Sequence, residues 1–338
     1  MTAPAVFAEG DIMLAAGAII TLEHGHYRLR ERIAGSAYGI IWRASGPHGR
    51  RDVALKLINQ PQMALAMPRQ RARWVASAAN EISFLQSLRP WDERHIVRLL
   101  DSGSHEGLPV LALELMAGDL GQHVAALQSE GRALPFATLV DWIGQLNQAL
   151  AKVHQYGWRY LDLKPANVLL DAQRRSVKLA DFGTNRPAAD PHPHTYAGTA
   201  NWQAPEQFFP AAGAYATDAR SDYFALGALF YFLASGGLPL RFCSACGQAY
   251  RDHHTAGAEL LRRRAGGAIP ATLQDAEAAL FTRRIALAAG DDRARDALAL
   301  LRALLAPDPA ARPVSALQIS RMLAPLRAAP DPAARRLA

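Results

Sequence analysis

Lysine is almost missing from this chain. Of 37 basic residues, all but Lys56, Lys152, Lys164 and Lys178 are arginine. Where Lys56 and Lys164 stand, the chain therefore uses a compact ammonium in place of its usual planar guanidinium. Cysteine is scarcer still: Cys243 and Cys246 are alone. Two thiols exclude a disulfide framework and fit a reducing compartment. No long hydrophobic run is present. The apolar stretch Phe224 to Ala234 is closed by Ser235, Gly236, Gly237 and Pro239, too short for a bilayer and right for a buried helix. Met1 to Asp11 lacks a basic n-region and meets Glu9 early, unlike a signal peptide. The expectation is a soluble cytoplasmic protein with no membrane partner. The formal charge is +7, but the arginines are scattered, and Arg262-Arg263-Arg264 reads as a solvated helix face. With no nucleic-acid reader motif, no specific nucleic-acid partner is expected. Internal repeats and long low-complexity segments are also absent.

What is present is a chain of 338 residues, half of them apolar, enough for one large two-lobed domain or two small ones. Met1 to Gly25 is a weakly patterned extension. Tyr27 to Ile33 alternates as a strand, and Ile40 to Trp42 and Val53 to Ile58 follow in kind. Arg71 to Leu88 carries Ile82, Leu85 and Leu88 on one helical stripe. Ile96 to Leu100 and Val110 to Leu115 are apolar enough for strands. Leu139, Trp142, Ile143, Leu146, Leu150 and Val153 recur at helical spacing, with Gly157 just past the end. Helical patterns return over Ser221 to Ala234, Ala258 to Arg264, Asp275 to Ala289, Asp296 to Leu305 and Ser315 to Leu326. The fold class expected is α+β: a small strand-rich lobe, a hinge near Glu114, and a larger helical lobe.

The most informative stretch is Tyr160-Leu161-Asp162-Leu163-Lys164-Pro165-Ala166-Asn167. It sets a carboxylate, an ammonium and a carboxamide in one short loop. Phosphoryl transfer needs those groups: a base facing the attacking hydroxyl, a cation on the transferring phosphate, an oxygen ligand for magnesium. A second carboxylate follows in Leu179-Ala180-Asp181-Phe182-Gly183. In this order the segments resemble the eukaryotic-type Ser/Thr protein kinase family, from about Tyr27 to Leu326. The resemblance implies a bilobal kinase fold. It assigns 1–26 to an N-terminal extension, 27–113 to an N-lobe, 114–117 to a hinge, 118–328 to a C-lobe and 329–338 to a tail.

By the same resemblance, Asp162 orients the substrate hydroxyl and accepts its proton, Lys164 neutralises the γ-phosphoryl oxygens, and Asn167 and Asp181 hold magnesium. ATP falls to Ile33, Ala34, Gly35, Ser36 and Gly39 of a glycine-rich loop and to Lys56, the strand lysine paired with Glu81. Ile41, Ala54 and Leu169 wall the adenine, Leu113 is the gatekeeper, and Glu114 to Met116 form the hinge. Two departures stand out. Ala34 and Ser36 replace the first two loop glycines, which predicts weaker phosphate contact. Leu161 replaces the arginine that pairs with a phosphorylated activation-loop residue, which predicts activity without that phosphate.

On the substrate side, Gly198 to Glu206 resembles the docking segment, and Thr199 with Lys164 is the Ser/Thr-type pairing, so protein substrates are implied. Glu206 is expected to pair with Arg312, and Asp222 to accept catalytic-loop amides. Thr195 and Tyr196 are candidate phosphorylation sites, whereas His192 and His194 read as exposed loop residues. Cys243-Ser244-Ala245-Cys246-Gly247 resembles half of a zinc knuckle, with His253 and His254 as further ligands; free thiols in a surface insertion are the favoured alternative. The rival readings are a pseudokinase scaffold, motivated by the two departures, and a small-molecule phosphotransferase, which would lack the docking segment. The alanine- and arginine-rich style suggests a bacterial source with a GC-rich genome.

Overall fold

The computed structural model describes residues 14–36, 38–49, 51–190, 198–211 and 214–327. The chain divides into two compact units: residues up to Gln86 with Arg98–Leu115, and Ser87–Val97 with the chain from Met116 on.

The first unit is built on an antiparallel sheet of strands β1 (Ile19–Leu22), β2 (Gly25–Gly35), β3 (Gly39–Ser45), β4 (Asp52–Ile58), β5 (Leu99–His105) and β6 (Leu108–Glu114), in the order β1-β2-β3-β4-β6-β5. Alternation explains β4. Val53, Leu55 and Leu57 enter a core with Ile20, Leu29, Val110 and Ala112, so Ala54 and Lys56 face the other way. Two helices, α1 (Gln60–Leu65) and α2 (Pro68–Ser87), follow β4, and α2 buries Glu81, Phe84 and Leu85. Two sequence boundaries need correction. The weakly patterned extension contains a strand, β1, because Ile20 and Leu22 alternate into the core. The strand read at Ile96 to Leu100 runs instead from Leu99 to His105, and Ile96 makes an isolated bridge to Leu179.

The second unit is helical. Its elements are β7 (Gly118–Asp119), α3 (Leu120–Ser129), α4 (Phe136–Gln155), β8 (Trp158–Arg159), β9 (Val168–Leu170), β10 (Val177–Leu179), β11 (Arg186–Pro187), α5 (Pro205–Phe208), α6 (Ala219–Ala234), α7 (Arg241–His253), α8 (Gly257–Arg264), α9 (Asp275–Ala289), α10 (Asp291–Leu304) and α11 (Ala316–Arg327). α4 ends where Gly157 adopts φ +79°, a conformation glycine takes without penalty. α6 is buried almost all round, as its unbroken apolar run predicts. α10 begins five residues before the helix read from sequence, extended by Asp291 and Asp292 in its first turn. Small ladders β7-β9-β10 and β8-β11 fix the loops between them.

Candidate active site

In the first unit, the β2–β3 turn is closed by its own serine. Ser36 N donates to Gly39 O (2.8 Å), and Ser36 Oγ accepts from Tyr38 N and Gly39 N (3.1 Å each). Asn59 pins the turn from β4's end, donating Nδ2 to Ser36 O (2.8 Å) and N to Tyr38 O (3.1 Å). Ile33, Ala34 and Gly35 end β2, and Ile33 is 44% exposed. Ile41 on β3 pairs with Lys56 on β4, and Ala54 pairs with Leu113 on β6. Glu114 closes β6, its Oε1 accepting Arg98 N (2.8 Å). Lys56 Nζ meets Glu81 Oε2 at 2.6 Å, with the carboxylate side chain 1% exposed. The strand lysine and the helix glutamate are thus together.

In the second unit, Asp162, Lys164 and Asn167 converge with Thr199. Lys164 Nζ donates to Asp162 Oδ2 (2.7 Å) and Thr199 Oγ1 (2.7 Å), and Thr199 Oγ1 donates to Asp162 Oδ1 (2.8 Å). Asn167 Nδ2 donates to Asp162 O (2.9 Å) and Oδ2 (3.0 Å). Burial pushes the Asp162 carboxyl above the ordinary carboxylate range and nearby Asp181 adds to this, while Lys164 and the Thr199 bond pull it down. Asp181 stands at φ +60°, in the left-handed region costly for a side chain, just before the buried Phe182. Leu169 lies mid-β9, half-buried, and Met116 is half-buried near the start of this unit.

The donor set suits magnesium. Asn167 spends its amide nitrogen on Asp162, which leaves its carbonyl oxygen as a hard oxygen donor. Among the described residues no group of three or more His, Cys, Asp and Glu could hold a metal. Magnesium does not require one, because it keeps water and substrate phosphate oxygens in its shell.

The family profile described as "Protein kinase domain" matches residues 27–322. The chain belongs to the eukaryotic-type serine/threonine protein kinase family. Its class of activity is ATP-dependent phosphoryl transfer to protein serine and threonine hydroxyls. The kinase is 30% identical to "Cell division control protein 2 homolog 3" of Trypanosoma brucei brucei, over 68% of this chain and 70% of that protein. It is 31% identical to "Cyclin-dependent kinase B2-1" of Oryza sativa subsp. japonica, over 62% of this chain and 63% of that one. It is 29% identical to "Serine/threonine-protein kinase PknD" of Mycobacterium tuberculosis (H37Rv) over 65% of this chain, and that match spans only 31% of PknD.

In this kinase the loop 160–167 is hung from α6. Asp222 accepts Tyr160 N (2.9 Å) and Leu161 N (2.6 Å). His154 Nε2 also bonds Asp222, at 2.8 Å, and Gln207 Nε2 donates to Leu161 O (3.1 Å). Leu161 is buried at φ +66° and carries no charge toward any phosphate. Gly198, at φ +97°, packs so close that a Cβ would meet Leu161 O at 3.0 Å. The segment 198–206 is locked behind it by the Glu206–Arg312 pair, two-pronged at 2.7 and 2.9 Å, with the arginine side chain 0% exposed. Sequence reasoning missed His154, Gln207 and Arg159. For Arg159, the available signal was a charged residue next to the buried Tyr160.

The zinc reading does not survive. Cys243 and Cys246 lie on α7, not on a knuckle turn, and spacing by three places both thiols on the buried face. Burial pushes the Cys243 thiol up to about 12 and raises Cys246 too, and among the described residues no cluster of three or more His, Cys, Asp or Glu joins them. The two cysteines are free thiols, as the alternative expected, but they are buried on α7 and not in a surface insertion. Gly247 is glycine because the Asn201 carboxamide fills the space of its missing Cβ, seating α7 on the docking segment. Thr195, Tyr196, His192 and His194 lie outside the described residues. Among the described residues no helix is long and apolar enough to cross a membrane.

Proposed function

We propose that this kinase transfers the γ-phosphoryl group of Mg-ATP to serine or threonine hydroxyls of polypeptide substrates, and to its own. The observation that carries the reading is the Asp162 carboxylate held at once by Lys164, Thr199 and Asn167, all within 3.0 Å. Asp162 orients the hydroxyl and takes its proton as the oxygen–phosphorus bond forms and the bond to the ADP leaving group breaks. Lys164 balances the charge on the transferring oxygens. Lys56, fixed by Glu81, takes the α- and β-phosphates. Ile33, Ala34, Gly35, Ser36 and Gly39 cover the phosphates. Ile41, Ala54 and Leu169 wall the adenine, Leu113 is the gatekeeper, and Glu114 and Met116 read the adenine edge. Asn167 and Asp181 would hold magnesium, which would supply neutralisation of phosphate charge. Catalysis on this reading is positioning and electrostatics, with no covalent intermediate. The arginine-rich composition and the mycobacterial relative support a bacterial setting, and the two free thiols support a reducing, cytoplasmic one.

Radiolabel transfer from ATP to a generic protein acceptor tests the reading. Asp162→Asn is expected to lower the rate by about 10²–10⁴-fold. Equal incorporation by wild type and Asp162→Asn refutes the assignment. Mapping the phosphosites after incubation with Mg-ATP reports residue preference and self-modification.

A further inference from the structure

Arg159 is an arginine in a place that packing would fill with an apolar side chain. It sits on β8 directly before the catalytic loop and is 5% exposed. Burying a guanidinium is costly unless its donors are met. Its hydrogen bonds go to carbonyl and hydroxyl oxygens. Nη1 donates to Thr217 O and to Thr217 Oγ1 (3.2 Å), and Nη2 to Pro187 O (2.6 Å) and Asp190 O (2.9 Å). Its Nε is buried with no partner among the described residues.

Those acceptors belong to two separate stretches. Pro187 and Asp190 lie in the segment after Asp181-Phe182-Gly183. Thr217 precedes α6, whose Asp222 suspends the catalytic loop. The same segment pairs with β8 through Arg186 opposite Arg159, and Ala188 N donates to Gly157 O (2.7 Å). One planar fork therefore ties the strand entering the catalytic loop to the post-Asp-Phe-Gly segment and to the base of α6. Two residues on, Leu161 offers nothing to a phosphate.

We propose that Arg159 is a positioning residue that holds the segment Arg186–Asp190 against the catalytic-loop strand through backbone carbonyls, so that no phosphate is needed to order it. The proposal rests on the kinase reading for its consequence and on geometry alone for the hold itself. Lysine cannot replace it, because a single ammonium lacks the fork that reaches Thr217 and both segment carbonyls together.

Hydrogen exchange and steady-state kinetics on the full chain test both halves. In Arg159→Met and Arg159→Lys, exchange at the Ala188 and Asp190 amides is expected to rise about tenfold or more while α4 amides keep wild-type protection. The rate for a protein acceptor is expected to fall about tenfold or more with KM for ATP within about twofold of wild type. Phosphatase-treated wild type is expected to keep the untreated rate. Unchanged exchange at Ala188 and Asp190 overturns the hold, as does a Lys variant that fails to fold, which would make Arg159 a folding residue. Collapse of wild-type activity on phosphatase treatment overturns phosphate independence. Wild type that transfers no phosphoryl group sinks the kinase reading and the regulatory consequence with it. Raised exchange at Ala188 and Asp190 in the variants would still uphold the hold in that case.

Discussion

Asp162 receives three donors on two oxygens and still sits above its ordinary range, because burial outweighs them. The sign of the pH dependence follows. On the proposed mechanism transfer needs the ionised carboxylate, so the rate is expected to rise with pH through the raised value. The folded state meanwhile holds a proton that the unfolded chain releases near 3.8, so this group's stabilising contribution fades as pH climbs over the same window. Lys164→Met removes a contact that pulls the value down. The acidic limb of its pH–rate profile is expected to move to higher pH, on top of a lower plateau; a limb that stays put contradicts the coupling. Ser36 supports a second prediction. Its hydroxyl occupies the Tyr38 and Gly39 amides, the kind of backbone donors a phosphate would use. Ser36→Gly frees them, and KM for ATP is expected to drop about three- to tenfold, a change of roughly 1 kcal/mol, the size of one ordinary hydrogen bond. An unchanged or higher KM would show that the serine staple does not limit nucleotide binding.

At the scale of elements, the buried Glu206–Arg312 pair joins α5 to the loop before α11. Removing one partner leaves the other charge uncompensated. Arg312→Met is expected to cost about 3–5 kcal/mol in urea-induced unfolding, since Glu206 is then left with the neutral Ser221 hydroxyl in place of a cation. A loss below roughly 1 kcal/mol would place the pair among weak surface contacts. Elements with strong periodicity are legible in the sequence alone. Asp275–Ala289 matches its helix end to end, and α4 and α6 lie where their apolar stripes put them. α7 was not legible, because Cys-x-x-Cys-Gly reads locally as a metal turn. Its identity rests on Asn201 filling the Gly247 gap and on Glu277 Oε1 accepting Arg241 N (2.7 Å) at its start, both distant in sequence. β1 was missed for a like reason: four residues carry too little pattern until Ile20 and Leu22 meet a core.

Across the whole molecule, the chain divides into two compact units, and the two thiols report on the second. Cys243 and Cys246 are 1% and 0% exposed, so a thiol reagent is expected to label the native protein slowly and the urea-unfolded chain at once. Labelling that runs ahead of unfolding would mean α7 opens locally. Added zinc is expected to leave the melting temperature unchanged, because a ligand stabilises only a folded state that binds it. A rise with zinc would restore the metal reading.

The order of motifs along the chain was enough to identify the family and nominate Lys56, Glu81, Asp162, Lys164, Asn167 and Asp181, because phosphoryl transfer demands particular groups at particular spacings. Tertiary structure alone decided how the departures are accommodated. It turned Ser36 into a staple, buried the cysteines, and gave Arg159 its carbonyl partners. Hydrogen bonds and burial join residues far apart in the chain, and linear spacing carries no record of them.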